Sequence, residues 1–321
     1  MTRVIGEASL DQRAGRSAAK DRLKGLSFRT FMALDRLGVH LLPKHYYTPV
    51  SDYAWLRANK DAWVGRAPLV GIHWDLDAQM AWLAEICRPY YHEVAGLHLH
   101  REMQHYGPGF GPIESQVVHC IVRALAPPRI VEIGSGASTA GMLHAASLNE
   151  REGRTPSRIT CIEPFPKPAL RALADVTHVE QRCQTVPSAV FAQLQSGDLL
   201  FIDSSHAVKV GSELMRIYLD VIPRLPSGVV IHIHDVCLPY LYPPTALLDY
   251  FGWQETPLLL ALLTNNDRLG VLACLSALHH DHPDALAALL TDYHPLPLVD
   301  GLAASNDAPG HFPSSLWLRT N

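Results

Sequence analysis

From residue 129 onward the chain alternates short apolar runs with amphipathic stretches, and that alternation leaves few folds open. Arg129-Ile-Val-Glu-Ile133, Arg158-Ile-Thr-Cys-Ile-Glu163, His178-Val-Glu-Gln-Arg182, Asp198-Leu-Leu-Phe-Ile-Asp203 and Gly228-Val-Val-Ile-His-Ile-His234 read as strands. Between and after them the apolar spacing predicts helices over 138–149, 168–175, 187–195, 207–222 and 245–263. Leu269-Gly-Val-Leu-Ala-Cys274 and Ser315-Leu-Trp-Leu-Arg319 read as two closing strands. Repeated strand–helix units connect by right-handed crossovers and cover both faces of a sheet with helices. The expectation is an α/β chain: a doubly wound, Rossmann-like, mostly parallel sheet of seven strands.

The stretch before residue 113 is written differently. Residues 1–20 are polar and read as a flexible tail. Helical spacing predicts segments over 21–37, 52–60 and 75–94, with Pro89 ending or kinking the last. A Gly/Pro/His-rich loop, 96–112, closes this N-terminal helical region, 21–112, and a helix over 113–125 opens the domain that runs to 321. Loops of that length often carry function. The helical region is therefore expected to act as a lid, an acceptor selector or a homodimer surface.

Charge and cysteine usage narrow the class. With 27 Lys+Arg against 31 Asp+Glu, the formal net charge is −4. Phosphate neutralisation needs a basic surface, so nucleic acid and anionic lipid are poor partners. The longest strong apolar run, Leu258 to Leu263, is a third of the ~18 residues of a membrane span. The first residues carry no apolar leader, and the six cysteines are dispersed without a C-x-x-C. The sequence thus reads as cytoplasmic, with reduced and mostly buried thiols.

In an open α/β sheet, ligands bind beyond the carboxyl ends of the strands. Those ends carry Glu132 and Gly134, then Glu163, then Asp203, then His234-Asp235. In Val131-Glu-Ile-Gly-Ser-Gly-Ala-Ser-Thr139, Gly134 and Gly136 allow a tight turn and a close approach of ligand to backbone. Thr139 stands where a dinucleotide fingerprint carries Gly or Ala, and Glu132 would repel a pyrophosphate. An acidic turn without phosphate suits a cationic ligand, such as a sulfonium cofactor bearing an ammonium group.

Val131 to Thr139 resembles motif I of class I S-adenosylmethionine-dependent methyltransferases, and Cys161-Ile-Glu163-Pro164 resembles their second motif. Asp198 to His206, Gly228 to Asp235 and Ser314 to Arg319 resemble the later strands of the methyltransferase-24-like, small-molecule branch. The likeness covers about residues 110–321; the N-terminal third shares only Tyr46-Tyr47 and Gly111 to Glu114. It implies S-adenosylmethionine as cofactor and methyl transfer to a small-molecule oxygen or nitrogen, as in secondary metabolism. The alternative use of such a pocket is a non-methylating reaction, cyclisation of the cofactor's aminocarboxypropyl chain with release of methylthioadenosine.

The resemblance implies a cofactor set of Glu132, Gly134, Ser135, Gly136, Ser138, Thr139, Glu163, Asp203 and Ser204, with Glu163 on the ribose hydroxyls. Some related O-methyltransferases hold Mg²⁺ with an Asp after the fourth strand and an Asp pair after the fifth. Here Asp203 matches the first, but the pair is His234-Asp235, one carboxylate short. His206, His232 and His234 are alternative ligands for a softer ion, and a divalent metal is left unassigned. His232 reads as a hydrogen-bonded core residue. His234, Asp235 and His206 are the candidate catalytic residues. Tyr46, Tyr47, Tyr106 and Trp253 are the candidate acceptor-binding aromatics.

Overall fold

The computed structural model describes residues 25–45, 47–97, 99–107 and 109–321. The predicted tail, Tyr46 and His98 lie outside the described residues. The chain divides into two compact units, with the boundary between Leu56 and Arg57. The first unit contains a helix over 25–35, and Tyr47 in it is exposed. The second, Arg57–Asn321, holds all seven strands.

The strands are β1 Arg129–Ile133, β2 Arg158–Ile162, β3 Val176–Val179, β4 Leu199–Ile202, β5 Val230–Ile233, β6 Leu269–Cys274 and β7 Leu316–Thr320. They lie in the order β3-β2-β1-β4-β5-β7-β6. The first five are mutually parallel, and β7 runs antiparallel between β5 and β6. The mostly parallel, doubly wound expectation holds. β1 and β4 are neighbours although two strands separate them in sequence, so the chain reverses its winding between them. That reversal opens a crevice at their carboxyl ends.

Alternation along the parallel strands builds two cores. Ile130, Ile159, Leu199 and Phe201 point to one face. Val131, Ile133, Ile162, Leu200 and Ile202 point to the other. The first face is covered by α1 (Leu76–Cys87), α2 (Pro112–Leu125) and α3 (Ala137–Arg151). On the second lie the helical stretch 213–224 and α4 (Glu255–Leu263). The helix predicted over 75–94 stops at Cys87, capped by a still helical Arg88, because Pro89 has no backbone N–H to continue the ladder.

Two predicted helices are shorter than their apolar spacing suggests. Over 207–222 the chain stays irregular to Ser212, where Gly211 takes φ +76°. Val210 there is fully exposed, so no apolar face backs a helix. Over 245–263 only α4 is regular; Leu248, Tyr250 and Phe251 are exposed, and Gln254 N–H donates to the carbonyl of His206 instead. The helices at 168–175 and 187–195 contract to Pro168–Arg171 and Ser188–Ala192. The loop at 96–112 contains a short helix, Leu99–Met103. Two helices were not anticipated, α5 (Leu275–Asp281) and α6 (Pro283–Leu289).

α2 joins the 57–111 segment to the sheet and is buried along most of its length, polar residues included. Each polar side chain has a named partner. Glu93 accepts from His119 at 2.7 Å and from Arg123 at 2.8 and 2.9 Å. Arg123 also reaches Asn149, and Glu152 at 2.5 Å. Gln116 donates to Asp292 at 2.7 Å. Burial alone would raise the Glu93 carboxyl, but Arg123 and His119 outweigh it and hold it at about 2, against an ordinary 4.5. A depressed carboxylate stabilises the fold above its unfolded value and loses that contribution as pH falls towards its folded value. Glu93 should therefore contribute about 1–2 kcal/mol at neutral pH, after discounting for its partial exposure. That contribution should fade between about pH 4.5 and pH 2. Urea midpoints against pH, with Glu93→Gln showing the flatter acid limb, check this.

Candidate active site

The strand ends are aligned by backbone hydrogen bonds. Gly134 N–H donates to Ile162, Glu163 to Val179, Asp203 to Ile133 and His234 to Ile202. Four chemically active positions thereby share one rim. Gly134 has φ +85°, and a Cβ there would sit 1.8 Å from the carbonyl oxygen of Asp203. No side chain fits where β1 and β4 diverge.

Glu132 is fully buried beneath this turn. It accepts from Ser138 Oγ and Thr139 Oγ1, both at 2.6 Å, and from Cys161 Sγ at 3.0 Å. Thr139 Oγ1 in turn accepts from Gly136 N–H at 3.1 Å. Burial pushes the Glu132 carboxyl up to about 7, against those three donors. The carboxylate expected to face a cationic ligand is turned inward and braces the glycine turn from behind; Ser138 and Thr139 brace it too. Ser135 Oγ, by contrast, is buried without a protein partner.

A cavity of about 290 Å³ opens beyond β1, β2 and β4. Gly134, Glu163, Asp203 and Ser204, all sequence candidates, line it. So do Arg182, Cys183, Gln184, Lys209 and Glu213, which sequence reasoning missed. The first three follow β3, where the acidic residue at the strand end, Glu180, is exposed and paired with Arg171 rather than facing the cavity. Glu163 is half-buried, its carboxyl raised by burial, with Oε1 accepting from Phe165 N–H at 2.8 Å.

Beside the cavity stands a second group that shares Asp203. His206 Nε2 lies 3.4 Å from Asp203 Oδ1 and 3.3 Å from Asp235 Oδ2. Its Nδ1 is 2.8 Å from Oε2 of Glu255, which is buried and also accepts from Tyr218 Oη at 2.8 Å. Burial lowers the affinity of His206 for a proton, but the surrounding carboxylates Asp203, Glu255 and Asp235 raise it, to about 11. His206 and Asp235 have φ of +56° and +54°. Left-handed backbone costs about 1–2 kcal/mol per non-glycine residue and collects at functional sites. Trp253 lies over His206 with centroids 4.8 Å apart.

His234 is 3% exposed, packed under Phe110 at 5.0 Å, and its Nε2 is 3.8 Å from Asp235 Oδ1. Ser314 Oγ donates to Asp235 Oδ1 at 2.9 Å, and Ser314 N–H donates to the buried Glu114 at 2.6 Å. Glu114 and Glu255, both buried, stand in the first turns of α2 and α4, away from the strand ends. His232, read as a hydrogen-bonded core residue, is in the core without hydrogen bonds. Its ring stacks on Phe201 at 3.9 Å and meets Trp317 at 4.5 Å, and both nitrogens lack partners. Burial drives its protonation well below the ordinary range. It does not join the cluster.

The 99–112 segment comes onto this rim. A Cβ on Gly107 would be 2.9 Å from Gly136 Cα, so the two glycines let two backbones touch. Tyr106, one residue before, is half-buried. Tyr47 belongs to the first unit.

Residues 131–236 match the family Methyltransf_24, described as a methyltransferase domain. No curated protein matches the chain. Among solved structures, the chain is similar to the S-adenosylhomocysteine-bound Podospora anserina methyltransferase PaMTH1, at 16% identity and TM-score 0.39, covering 86% of this chain and 99% of that one. It is also similar to an O-methyltransferase of Bacillus cereus in complex with S-adenosylhomocysteine, at 17% identity and TM-score 0.37, covering 60% and 87%. The matched span, 131–236, begins in β1 and ends just after β5, so the part of the chain that matches a methyltransferase domain contains the glycine turn, Glu163 and the Asp203–Asp235 cluster.

Proposed function

We propose that the protein transfers the methyl group of S-adenosylmethionine to a hydroxyl of a small-molecule acceptor. The observation that carries this is the position of Asp203. It lines the cofactor cavity and also belongs to the cluster with His206 and Asp235. A methyl donor in the cavity and an acceptor oxygen at the cluster would thus be neighbours. Holding them in line supplies most of the rate, and drawing off the hydroxyl proton supplies more. In this reading Glu163 takes the ribose diol, with two hydroxyls donating to one carboxylate. Gly134, Ser135 and Gly136 face the aminocarboxypropyl chain, and Ser135 Oγ is free to join them. His206 and Asp235 meet the acceptor, with His234 behind them under Phe110. Trp253 and the 99–112 segment, with Tyr106, shape what the acceptor can be.

The all-oxygen Mg²⁺ arrangement suggested by the motif resemblance does not fit these residues. An imidazole faces the two aspartates, and His234 stands where a second carboxylate of the pair would be.

Glu163→Gln should weaken S-adenosylhomocysteine binding about 10- to 100-fold, the effect of losing hydrogen bonds to a charged acceptor. Isothermal titration calorimetry measures this directly, and unchanged affinity would remove Glu163 from the ribose. Turnover with candidate hydroxylated acceptors should release S-adenosylhomocysteine. Methylthioadenosine as the product would replace methyl transfer by cyclisation of the aminocarboxypropyl chain.

A further inference from the structure

We propose that the acceptor carries an uncharged apolar body that stays outside the catalytic group and lies across Val208, Val210, Tyr250 and Phe251. The inference rests on the methyl-transfer reading and names the class of acceptor: an alcohol or phenol with a hydrophobic chain or ring system attached. Its test measures binding without methyl transfer, so the two can fail separately.

Two segments meet at His206. The first runs on from it through Val208 and Val210 to Ser212. The second, 248–254, returns to it: Gln254 N–H donates to the His206 carbonyl at 2.9 Å, and Trp253 lies over the His206 ring. His206 itself is buried beside Asp203 and Asp235. A molecule whose hydroxyl reaches that group leaves its remaining atoms beside these two segments.

Both segments turn apolar side chains to solvent. Val210 is fully exposed, Tyr250 is 78% and Phe251 55% exposed, and Val208 and Leu248 are exposed as well. Single exposed apolar residues are ordinary. Five on two joined segments present apolar surface on the order of 500 Å², the size at which a patch on a soluble protein is often functional.

Local hydrogen bonds hold these side chains out. The Lys209 carbonyl accepts from Ser212 N–H at 3.0 Å, and the Gly211 carbonyl accepts from Gln184 Nε2 at 2.6 Å, with Gly211 at φ +76°. Val210 is thereby fixed at the tip of a turn, where glycine, proline, asparagine and aspartate are the usual residues. Lys209 and Gly211 on either side of it line the cofactor cavity, so Val210 stands at its lip. In the second segment Asp249 Oδ1 accepts from Phe251 N–H at 2.9 Å, and the Tyr250 and Phe251 rings pack with centroids 4.6 Å apart. A paired aromatic surface is a platform for an apolar ligand.

Charge narrows the occupant. Residues 245–254 contain no lysine or arginine, and residues 204–212 contain Lys209 alone, which lines the cofactor cavity. A carboxylate, sulfate or phosphate on the outer part of the acceptor therefore finds no cation on these segments to pair with. An uncharged apolar body gains there instead, by up to about fourfold in affinity for each methylene fully removed from water.

The full chain, saturated with S-adenosylhomocysteine, is titrated by calorimetry with the 4-alkylphenols from methyl to hexyl. Affinity should rise about twofold per added methylene, as for partial burial on an open surface, and so about 30-fold across the series. The triple variant Val210→Ser/Tyr250→Ser/Phe251→Ser should flatten that rise to less than about fivefold. Its S-adenosylhomocysteine affinity, unchanged within a few-fold, reports that it folds. Leu219→Ser, which removes an exposed leucine from the helical stretch 213–224, should leave the rise intact. Affinity independent of chain length would overturn the proposal, as would a rise that survives in the triple variant or one that Leu219→Ser flattens equally. So would light scattering that shows a dimer in the parent and a monomer in the triple variant, because a second copy would then occupy the patch. Release of S-adenosylhomocysteine from S-adenosylmethionine in the presence of 4-hexylphenol tests methyl transfer itself. Chain-length-dependent binding without that release supports the apolar class and counts against the reading of the reaction.

Discussion

Gly134→Ala should abolish measurable S-adenosylhomocysteine binding and lower stability by about 3–5 kcal/mol, as the sum of two terms. The first is backbone strain, because alanine dislikes the φ of +85° that Gly134 adopts. The second is collision. The new Cβ would lie 1.8 Å from the Asp203 carbonyl oxygen, which is backbone and cannot rotate aside. The carboxyl ends of β1 and β4 would have to separate, and the cavity lies between them. Gly153 supplies the control. It has φ +80° and nothing within 4 Å of its hypothetical Cβ, so Gly153→Ala isolates strain at about 1–2 kcal/mol. Urea unfolding of both variants, with calorimetry for the ligand, measures the difference. Equal effects would mean that the approach of Gly134 to Asp203 places no demand on the turn.

The same approach explains how much was legible beforehand. Strand identity and order of chemistry were readable, because parallel strands buried on both faces are nearly continuous apolar text and end at a fixed rim. Gly134, Glu163, Asp203 and His234 follow their strands directly and were found on that basis. What a side chain faces was not readable from position. Glu132 was expected to meet a cationic ligand, yet strand alternation turns it into the helix-covered side, where three donors saturate it. Helix lengths failed where apolar residues serve loops rather than cores. Val208, Val210, Tyr250 and Phe251 give helical spacing but stay exposed. What Glu255 and Glu114 bind carries no local signal, because their partners, His206 and Ser314, are 49 and 200 residues away in sequence.

The other large effect is expected far from the rim. Arg123→Ala should cost about 3–5 kcal/mol, the range for removing one partner of a buried charge pair. Arg123 is 2% exposed and ties the 57–111 segment, through Glu93, to α3, through Asn149 and Glu152. Without it Glu93 retains only His119 among these bonds, and Asn149 Oδ1 and Glu152 lose a charged donor. Arg123→Met separates packing from charge, since methionine fills most of the space without a cation. It should remain strongly destabilised at pH 7 and approach the parent's stability only below about pH 2, where Glu93 becomes protonated in both. The double variant Glu93→Gln/Arg123→Met should recover part of the loss, and the shortfall from additivity gives the coupling between the two residues. α2 also carries Glu114, which holds Ser314 and through it Asp235. If the network sets the position of α2, Arg123→Met should lower methyl-transfer turnover, which Asp235 serves in the proposed function, more than it weakens S-adenosylhomocysteine binding beside Glu163. Equal losses in turnover and in binding would mean that the network contributes global stability alone.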